Sequence, residues 1–272
     1  MSELASEYLV QGELAGRVAV VTGVCGRLGP VWTDALLGAG ATVVGLDLAT
    51  GPDERLAEVL DVHGDKHFSF HTASVTDRDA LAAVLAACPA PPDVLVNSAG
   101  IDSPPRANSG WRFGDIPAEV SAAVLDVNAL GTLTSCQVFG SDMAARGGGS
   151  IVNIGSLYAG LAPDPRLYDH IPADPPFLKP PAYGMSKAGV TALTRYLAAL
   201  WGTAGVRVNT LSPGGVLGDQ DDEFVAKFTA RVPLRRMALA ADLRGPLLFL
   251  ASAQSGYVTG TELLVDGGYG CW

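Results

Sequence analysis

The sequence predicts an α/β fold: a single domain built on a doubly wound, parallel sheet of seven strands. Three observations lead to this fold class. Short β-branched runs alternate with Ala- and Leu-rich segments of helical length, a glycine-rich segment directly follows the first run, and 272 residues with 48% hydrophobic content suffice for one large core. Right-handed crossovers then bring the carboxyl ends of the strands to one edge, where such sheets bind ligands.

The seven strands are predicted in order along the chain, each separated from the next by a segment long enough for a crossover. They are RVAVVT (17–22), ATVVGLD (41–47), HFSFHT (67–72), DVLVN (93–97), SIVNI (150–154), GVRVNT (205–210) and ELLVD (262–266). Residues 1–13 are interpreted as an N-terminal extension and 14–272 as the domain. One segment breaks the alternation, because seven prolines within 162–182 exclude a regular helix or a central strand.

The net charge and the composition indicate which kinds of binding partner and which cellular compartment to expect. The formal net charge of −10 would repel nucleic acid, and neither a signal-peptide pattern nor an apolar run of about 18 residues indicates a membrane. We therefore expect a cytoplasmic protein. Its cysteines have no C-x-x-C pair, which favours reduced thiols over a disulfide frame or a zinc site. No metal is expected, surface roles are assigned to His63, His67 and His71, and His170 lies in the Pro-rich segment.

The glycine-rich segment, VAVVTGVCGRLG at 18–29, runs from a strand into the predicted helix GPVWTDALLGAG. Backbone N–H groups and a helix N-terminus in this arrangement hold a pyrophosphate, although an ordinary tight turn could also carry three such glycines. Asp47 ends the second strand, where a carboxylate accepts hydrogen bonds from both hydroxyls of an adenosine ribose and repels a 2′-phosphate. NAD is therefore favoured over NADP.

Six motifs in order resemble those of the short-chain dehydrogenase/reductase family, which has a Rossmann-type fold. They are TGVCGRLG, NSAG (97–100), IVNIGS (151–156), YGMSK (183–187), VRVNTLSPGG (206–215) and YVTGTELLVDGG (257–268), and the resemblance runs from about residue 14 to the end. It implies cofactor contacts from Gly23, Gly26, Arg27, Leu28, Gly29, Asp47, Ser74, Val75, Asn97, Ala99, Gly100, Tyr183, Lys187, Pro213, Gly214 and Val216.

The chain departs from the family pattern at several positions. Arg27 stands where the family has its second glycine. We expect it to project toward phosphate or solvent, and an arginine there keeps NADP open as an alternative. Ser98 replaces an asparagine, and Ser74 stands where the family often has an aspartate. The threonine that usually follows Pro-Gly is missing after Gly214.

The predicted catalytic residues are Asn128, Ser156, Tyr183 and Lys187. Tyr183 and Lys187 are four residues apart at the start of a predicted helix, so both side chains fall on one face, and a fixed ammonium favours the phenolate of a nearby tyrosine. By resemblance, Ser156 binds the substrate oxygen and Asn128 holds a water behind the lysine. A buried asparagine that only kinks or caps its helix is the alternative. The implied reaction is metal-free hydride transfer between a secondary alcohol or its ketone and NAD.

Two segments are predicted to form the substrate walls: the Pro-rich insertion at 162–182 and a helical lid at 216–236. The insertion could instead be a surface or subunit-contact excursion. A small hydroxylated substrate (sugar, polyol or sugar acid) is favoured because both walls are polar, although solvated surfaces look the same. The residues invoked are Asp164, Arg166, Tyr168, Asp169 and His170, with Asp219, Gln220, Asp221, Asp222 and Glu223.

Alternative functions remain open at this point. They are a dehydrogenase of apolar alcohols, a regulator or scaffold that binds NAD, and a non-redox enzyme of the same fold. The resemblance also implies a homotetramer or homodimer, with the helices containing Asn128 and Tyr183 and the C-terminal strand as contact surfaces.

Overall fold

The computed structural model describes residues 12–102 and 111–272, which form one seven-stranded parallel sheet in the order β3-β2-β1-β4-β5-β6-β7. Its strands are β1 Val18–Thr22, β2 Thr42–Asp47, β3 Phe68–Thr72, β4 Val94–Asn97, β5 Gly149–Ile154, β6 Val206–Pro213 and β7 Glu262–Val265. The predicted fold class is confirmed. The strand order reverses between β1 and β4, and this reversal opens a crevice at the carboxyl edge.

Seven helices are described beside the sheet. They are α1 Gly29–Gly38, α2 Glu54–His63, α3 Arg78–Ala87, α4 Ala118–Arg146, α5 Pro181–Trp201, α6 Asp222–Arg231 and α7 Arg244–Ala251. Aspartates at 53, 77 and 221 cap α2, α3 and α6 by accepting hydrogen bonds from first-turn amides. The long helix α5 begins with proline, which suits a first helical position.

The core has two layers because successive strand residues point to opposite faces of the sheet. On one face, Val21 packs with Trp32 of α1 and Leu247 of α7. On the other face, Val20 packs with Phe139 of α4 and Leu197 of α5. These layers fix the helices that carry the site.

Helix α4 departs from regular geometry in two π-helical stretches, Asp126–Gly131 and Cys136–Gly140. Among the described residues it is the one helix whose length and composition would allow it to cross a membrane, and 44% of that window is buried inside the fold. Core helices packed beside a sheet often have this composition. Asn128 lies in the first π-helical stretch.

The boundary of the predicted extension falls near the first described residues. Leu14 is buried and its amide donates to the carbonyl of Ala39, so the chain is packed into the core from this point. Residues 1–11 of the predicted extension lie outside the described residues.

Candidate active site

A cavity of about 890 Å³ opens at the carboxyl edge of the sheet, above the crevice between β1 and β4. Most of the predicted site residues line it. They are Gly23, Gly26, Arg27, Leu28, Asp47, Ser74, Val75, Ala99, Gly100, Ser156, Tyr183, Lys187, Pro213, Gly214 and Val216. Gly29, Asn97 and Asn128 do not line this cavity.

The glycine-rich loop has the close backbone packing that a dinucleotide cradle requires. Gly23 has a φ of +74°, and a Cβ atom there would lie 2.7 Å from the Cα of Ala99. Gly29 begins α1, where a Cβ would lie 2.3 Å from the carbonyl oxygen of Val24. Both positions therefore require glycine. Gly29 packs against the backbone of Gly23 and Val24 and does not line the cavity.

Asp47 stands at the end of β2 with its carboxylate oriented by the neighbouring loop. Its Oδ2 accepts a 3.0 Å hydrogen bond from the amide of Cys25, and its Oδ1 accepts a 3.2 Å bond from the amide of Ala49. A carboxylate holds more lone pairs than these two bonds use, so it can accept further hydrogen bonds from a ribose diol. The glycine cradle and this carboxylate fit a bound dinucleotide.

Arg27 is exposed and lines the cavity, so its expected orientation toward phosphate or solvent stays a prediction. Its Nη2 donates a 2.8 Å hydrogen bond to the carbonyl oxygen of Val216, and its guanidinium packs so closely on Gly218 that a Cβ there would lie 2.0 Å away. The side chain therefore joins the glycine-rich loop to the start of the lid.

The first two side chains of the NSAG motif connect the end of β4 to β5 and to α1. The amide of Asn97 donates to Asn153 Oδ1 at 2.8 Å inside the sheet, which corrects the predicted cofactor contact of Asn97. Ser98 Oγ accepts a 2.8 Å bond from the indole of Trp32, so the serine that replaces asparagine satisfies a buried tryptophan of α1. Thr22 holds the turn by accepting from the amides of Ser98 and Ala99.

Ser156, Tyr183 and Lys187 meet in the cavity, as the motifs predict. Ser156 follows β5, while Tyr183 and Lys187 lie in the first two turns of α5. The buried Lys187 ammonium donates a 2.8 Å bond to the carbonyl of Ile154 and lies 5.8 Å from the centre of the Tyr183 ring. The helix therefore holds the phenol and the ammonium side by side, next to the serine.

Burial shifts both titrating groups in the direction of their neutral forms. The pKa of Tyr183 is raised, first by burial and then by the charge of Asp102, while the hydrogen bond with Ser156 lowers it. Burial lowers the pKa of Lys187 to about 8. These shifts belong to a protein without a bound dinucleotide, and a cationic ring beside the phenol would favour the phenolate.

Asn128 has a positioning geometry rather than a direct place in the cavity. Its Oδ1 accepts from the amide of Ile101 at 2.7 Å, and its Nδ2 donates to the Ile101 carbonyl at 3.0 Å and to Ser186 Oγ at 3.1 Å. The side chain thus ties α4 to the loop after β4 and to α5. Its place in a π-helical stretch agrees with the alternative that this asparagine distorts its helix.

Two charged residues that sequence reasoning missed stand at the same point of the cavity. Lys179 Nζ pairs with Asp102 Oδ1 at 2.6 Å and lies 4.9 Å from the centre of the Tyr183 ring. The available signal was the spacing, since Lys179 precedes Tyr183 by the same four residues that separate Tyr183 from Lys187.

The insertion and the lid do form walls, but several of the polar residues invoked for substrate binding form ion pairs within these walls instead. Asp164 accepts from Arg231 at 2.6 Å and from Arg166 at 2.7 Å. His170 pairs with Asp221 at 2.9 Å. Of the ten polar wall residues named from the sequence, only Tyr168, Asp219, Gln220 and Asp221 line the cavity. The remaining lining of these walls is mainly aromatic or apolar: Tyr158, Ile171, Phe224, Phe228 and Met237.

Aromatic packing joins the same two walls. Phe177, Tyr168, Phe224, Phe228 and Tyr269 form a row with successive ring centres 4.9, 5.5, 5.9 and 4.7 Å apart. The row runs from the insertion through α6 to the C-terminal segment. We call these rings and the ion pairs between the insertion and α6 the clamp.

One group within the described residues, Asp169, His170 and Glu223, has donor atoms close enough to share a cation. The ammonium of Lys227 already pairs with both of its carboxylates, at 2.8 Å from Glu223 and also in contact with Asp169. A positive charge of the chain itself therefore neutralises this group, and Lys227 belongs to the clamp.

Comparison with known proteins agrees with this geometry. A family model described as enoyl-(acyl carrier protein) reductase matches residues 28–270. The chain is 33% identical to a galactitol 2-dehydrogenase (L-tagatose-forming) of Cereibacter sphaeroides, over 98% of this chain and 100% of that protein. It is also similar to a crystal structure of a short chain dehydrogenase from Leptospira borgpetersenii with bound NAD+ (TM-score 0.81, 31% identity, 94% and 93% coverage). A third similar protein is a gluconate 5-dehydrogenase from Burkholderia cenocepacia in complex with NADP and tartrate (TM-score 0.80, 28% identity, 97% and 99% coverage).

Proposed function

The chain belongs to the short-chain dehydrogenase/reductase family, whose members include oxidoreductases of CH–OH groups, and we propose that it is an NAD-dependent dehydrogenase of polyols or related sugars. The observation that carries this proposal is the meeting of Ser156, Tyr183 and Lys187 in the same cavity as the glycine cradle. A scaffold or regulator that only binds the dinucleotide would not need these three groups beside it.

In the proposed reaction a secondary alcohol and its ketone interconvert. The bound nicotinamide ring supplies the hydride acceptor or donor. Tyr183 takes the hydroxyl proton of the alcohol, or returns it to the ketone, and Ser156 donates a hydrogen bond to the same oxygen as its charge changes. Lys187 stabilises the phenolate, and the Ile154 carbonyl holds the ammonium in place.

NAD is proposed over NADP because Asp47 is the charged group at the ribose end of the cradle. Arg27, the nearby cation that would tolerate a 2′-phosphate, is bound to the Val216 carbonyl. Asp47 would repel a 2′-phosphate, and Arg55, a further cation near this end of the cradle, is paired with Asp53 and bonded to the Cys25 carbonyl.

Similarity to a galactitol dehydrogenase and to a gluconate dehydrogenase supports a hydroxylated substrate. The aromatic lining of Tyr158, Phe224 and Phe228 favours a second candidate, an aryl or other apolar alcohol. A panel of galactitol, D-threitol, gluconate, 1-phenylethanol and a 3-hydroxyacyl thioester, followed by NADH absorbance, separates the two. A kcat/KM more than tenfold higher on the apolar alcohols would overturn the polyol assignment.

We also propose a homotetramer, or a homodimer built on one of its interfaces. Large apolar side chains are exposed on α5 at Met185, Tyr196 and Leu200, and others are exposed at Leu264 and Trp272. Large apolar side chains exposed to solvent are common at subunit contacts. Light scattering tests the proposal, since a 28.0 kDa species at micromolar concentration would contradict it. A cytoplasmic location is part of the same proposal, and the unpaired state of the four cysteines supports it.

A further inference from the structure

Asp102 and Lys179 form an ion pair inside the substrate end of the cavity. Both residues line the cavity, and their charged atoms are 2.6 Å apart. Asp102 follows the NSAG loop and Lys179 lies in the Pro-rich insertion, 77 positions along the chain. Two loops that enclose the cavity therefore meet at this pair.

The lysine of the pair is held close to the reacting group. Its side chain is only 7% exposed, and its ammonium lies 4.9 Å from the ring centre of Tyr183 and 5.6 Å from that of Tyr158. Pro180 and Pro181 follow it directly and restrict the backbone at the start of α5. The cation is thus fixed beside the phenol by stiff backbone and two aromatic faces.

The chemistry of the pair suits two neighbouring hydroxyl groups. An ammonium donates hydrogen bonds and a carboxylate accepts them, so one hydroxyl of a vicinal diol can donate to Asp102 while the next accepts from Lys179. A substrate whose reacting oxygen meets Tyr183 brings the oxygen of its neighbouring carbon toward Lys179. Lys179 and Asp102 are the oppositely charged pair of this lining that lies beside the Tyr183 ring.

The charges around the pair disfavour an anionic substrate. Asp102, Asp219 and Asp221 line the cavity together with Lys179, Lys187 and Arg27, so the lining offers a substrate carboxylate no excess of cations. A carboxylate on the substrate would have to compete with Asp102 for Lys179 while facing further negative charge. A neutral diol does not have to displace Asp102 from Lys179, and it carries no negative charge for the carboxylates to repel.

Building on the proposed function, we propose that Asp102 and Lys179 are specificity-determining residues. They bind the diol that includes the carbon next to the reacting carbon, and they select neutral polyols over aldonates. The neighbouring hydroxyl adds hydrogen bonds to these two charged groups, so a diol is bound more tightly than the analogue that lacks that hydroxyl. If the pair binds the substrate in this way, kcat/KM is higher for an alcohol with a hydroxyl on the neighbouring carbon than for one without it.

Two matched comparisons test the pair on the wild-type protein. 2,3-Butanediol and 2-butanol differ by the neighbouring hydroxyl, and galactitol and galactonate differ at a terminal carboxylate. We expect kcat/KM to favour the diol and the neutral polyol by about tenfold or more in each comparison. Equal values for diol and monoalcohol, or a preference for galactonate, would overturn the proposal.

Substitution locates the preference in these residues. Lys179→Met and Asp102→Asn are each expected to lower kcat/KM for 2,3-butanediol about tenfold, mainly through KM, while 2-butanol changes less than about threefold. Arg17→Met is the control, because it removes an ion pair of similar length, 2.7 Å to Asp93, outside the cavity. Equal losses on both alcohols would assign the pair a structural role and overturn the proposal. If the wild type oxidised no polyol at all, the proposed function itself would fail instead.

Discussion

The ammonium of Lys187 donates a 2.8 Å hydrogen bond to the carbonyl of Ile154, the last residue of β5. This bond joins α5 to the strand that leads to Ser156, so the phenol, the ammonium and the serine hydroxyl are positioned by one contact between a helix and a strand. It also holds a charge inside the protein, and that charge makes the stability of the fold depend on pH.

Lys187 is expected to contribute a stability that rises with pH in alkaline solution, whereas burial raises the pKa of Cys88 to about 11 and of Cys136 to about 12, which gives the opposite slope above pH 9. Burial lowers the pKa of Lys187 from 10.5 to about 8 in the folded protein. Between these values Lys187 is more fully protonated in the unfolded chain, so its contribution to the free energy of unfolding increases with pH, while below about 8 the full cost of the buried charge remains. Lys187→Met should remove this slope, as measured by urea unfolding at pH 7, 8.5 and 10. Lys66→Met, at an exposed lysine, is the control, and an unchanged slope in Lys187→Met would contradict the assignment.

Tyr183→Phe is expected to lower turnover by about 10² to 10⁴, because it removes the proton carrier and keeps the ring. NADH binding, followed by fluorescence, should stay nearly unchanged. Tyr158→Phe is the matched variant, since burial and its hydrogen bond with Tyr168 raise the pKa of that phenol. Turnover that survives in Tyr183→Phe and disappears in Tyr158→Phe would show that Tyr158, and not Tyr183, transfers the proton.

Cofactor preference is expected to depend on Asp47 and not on Arg27. Asp47→Ala should lower the NAD to NADP ratio of kcat/KM by about tenfold or more, because it removes both the diol acceptor and the repulsion of a 2′-phosphate. Arg27→Gln should leave that ratio within about threefold, because the guanidinium is bound to Val216. Steady-state kinetics with both dinucleotides measure the ratios. A collapse of NADP use in Arg27→Gln alone would show that the arginine reaches the phosphate.

Loosening the clamp is expected to weaken substrate binding more than turnover. Hydrogen bonding with Arg166 and the charge of Arg231 lower the pKa of Asp164 to about 2, so this carboxylate stays charged at working pH. Asp164→Asn should raise the substrate KM about threefold to tenfold and speed proteolysis of the insertion. Asp142→Asn, which breaks the 2.8 Å pair with Arg146 on α4, is the control. Identical kinetics in both variants would show that the clamp does not shape the cavity.

Local patterns were sufficient to predict the strands and the place of the reacting groups. β-Branched runs identify strands because a pleated, buried surface favours those residues, and parallel order brings their ends to one edge. The positions of Ser156 after β5 and of Tyr183 and Lys187 on one face of α5 followed from the placement of the motifs, and their catalytic roles followed from the resemblance to the family. The cavity-lining glycines and Asp47 followed for the same reason.

Partners distant in sequence could not be predicted in this way. Arg27 is bound to Val216 across 189 positions, and Asp102 meets Lys179 across 77. Composition indicates that a segment is charged but not what neutralises it. The acids of the insertion and lid were therefore interpreted as substrate contacts, whereas Asp164 and Asp169 pair with cations of α6.

The aromatic row of the clamp has a consequence for how substrate preference can change in this scaffold. Its rings come from three parts of the chain that are far apart in sequence: Phe177 and Tyr168, then Phe224 and Phe228, then Tyr269. A graft that exchanges only one of these segments leaves the others with unmatched rings and unneutralised charges. The recognition surface is thus built from three segments that need to be exchanged together.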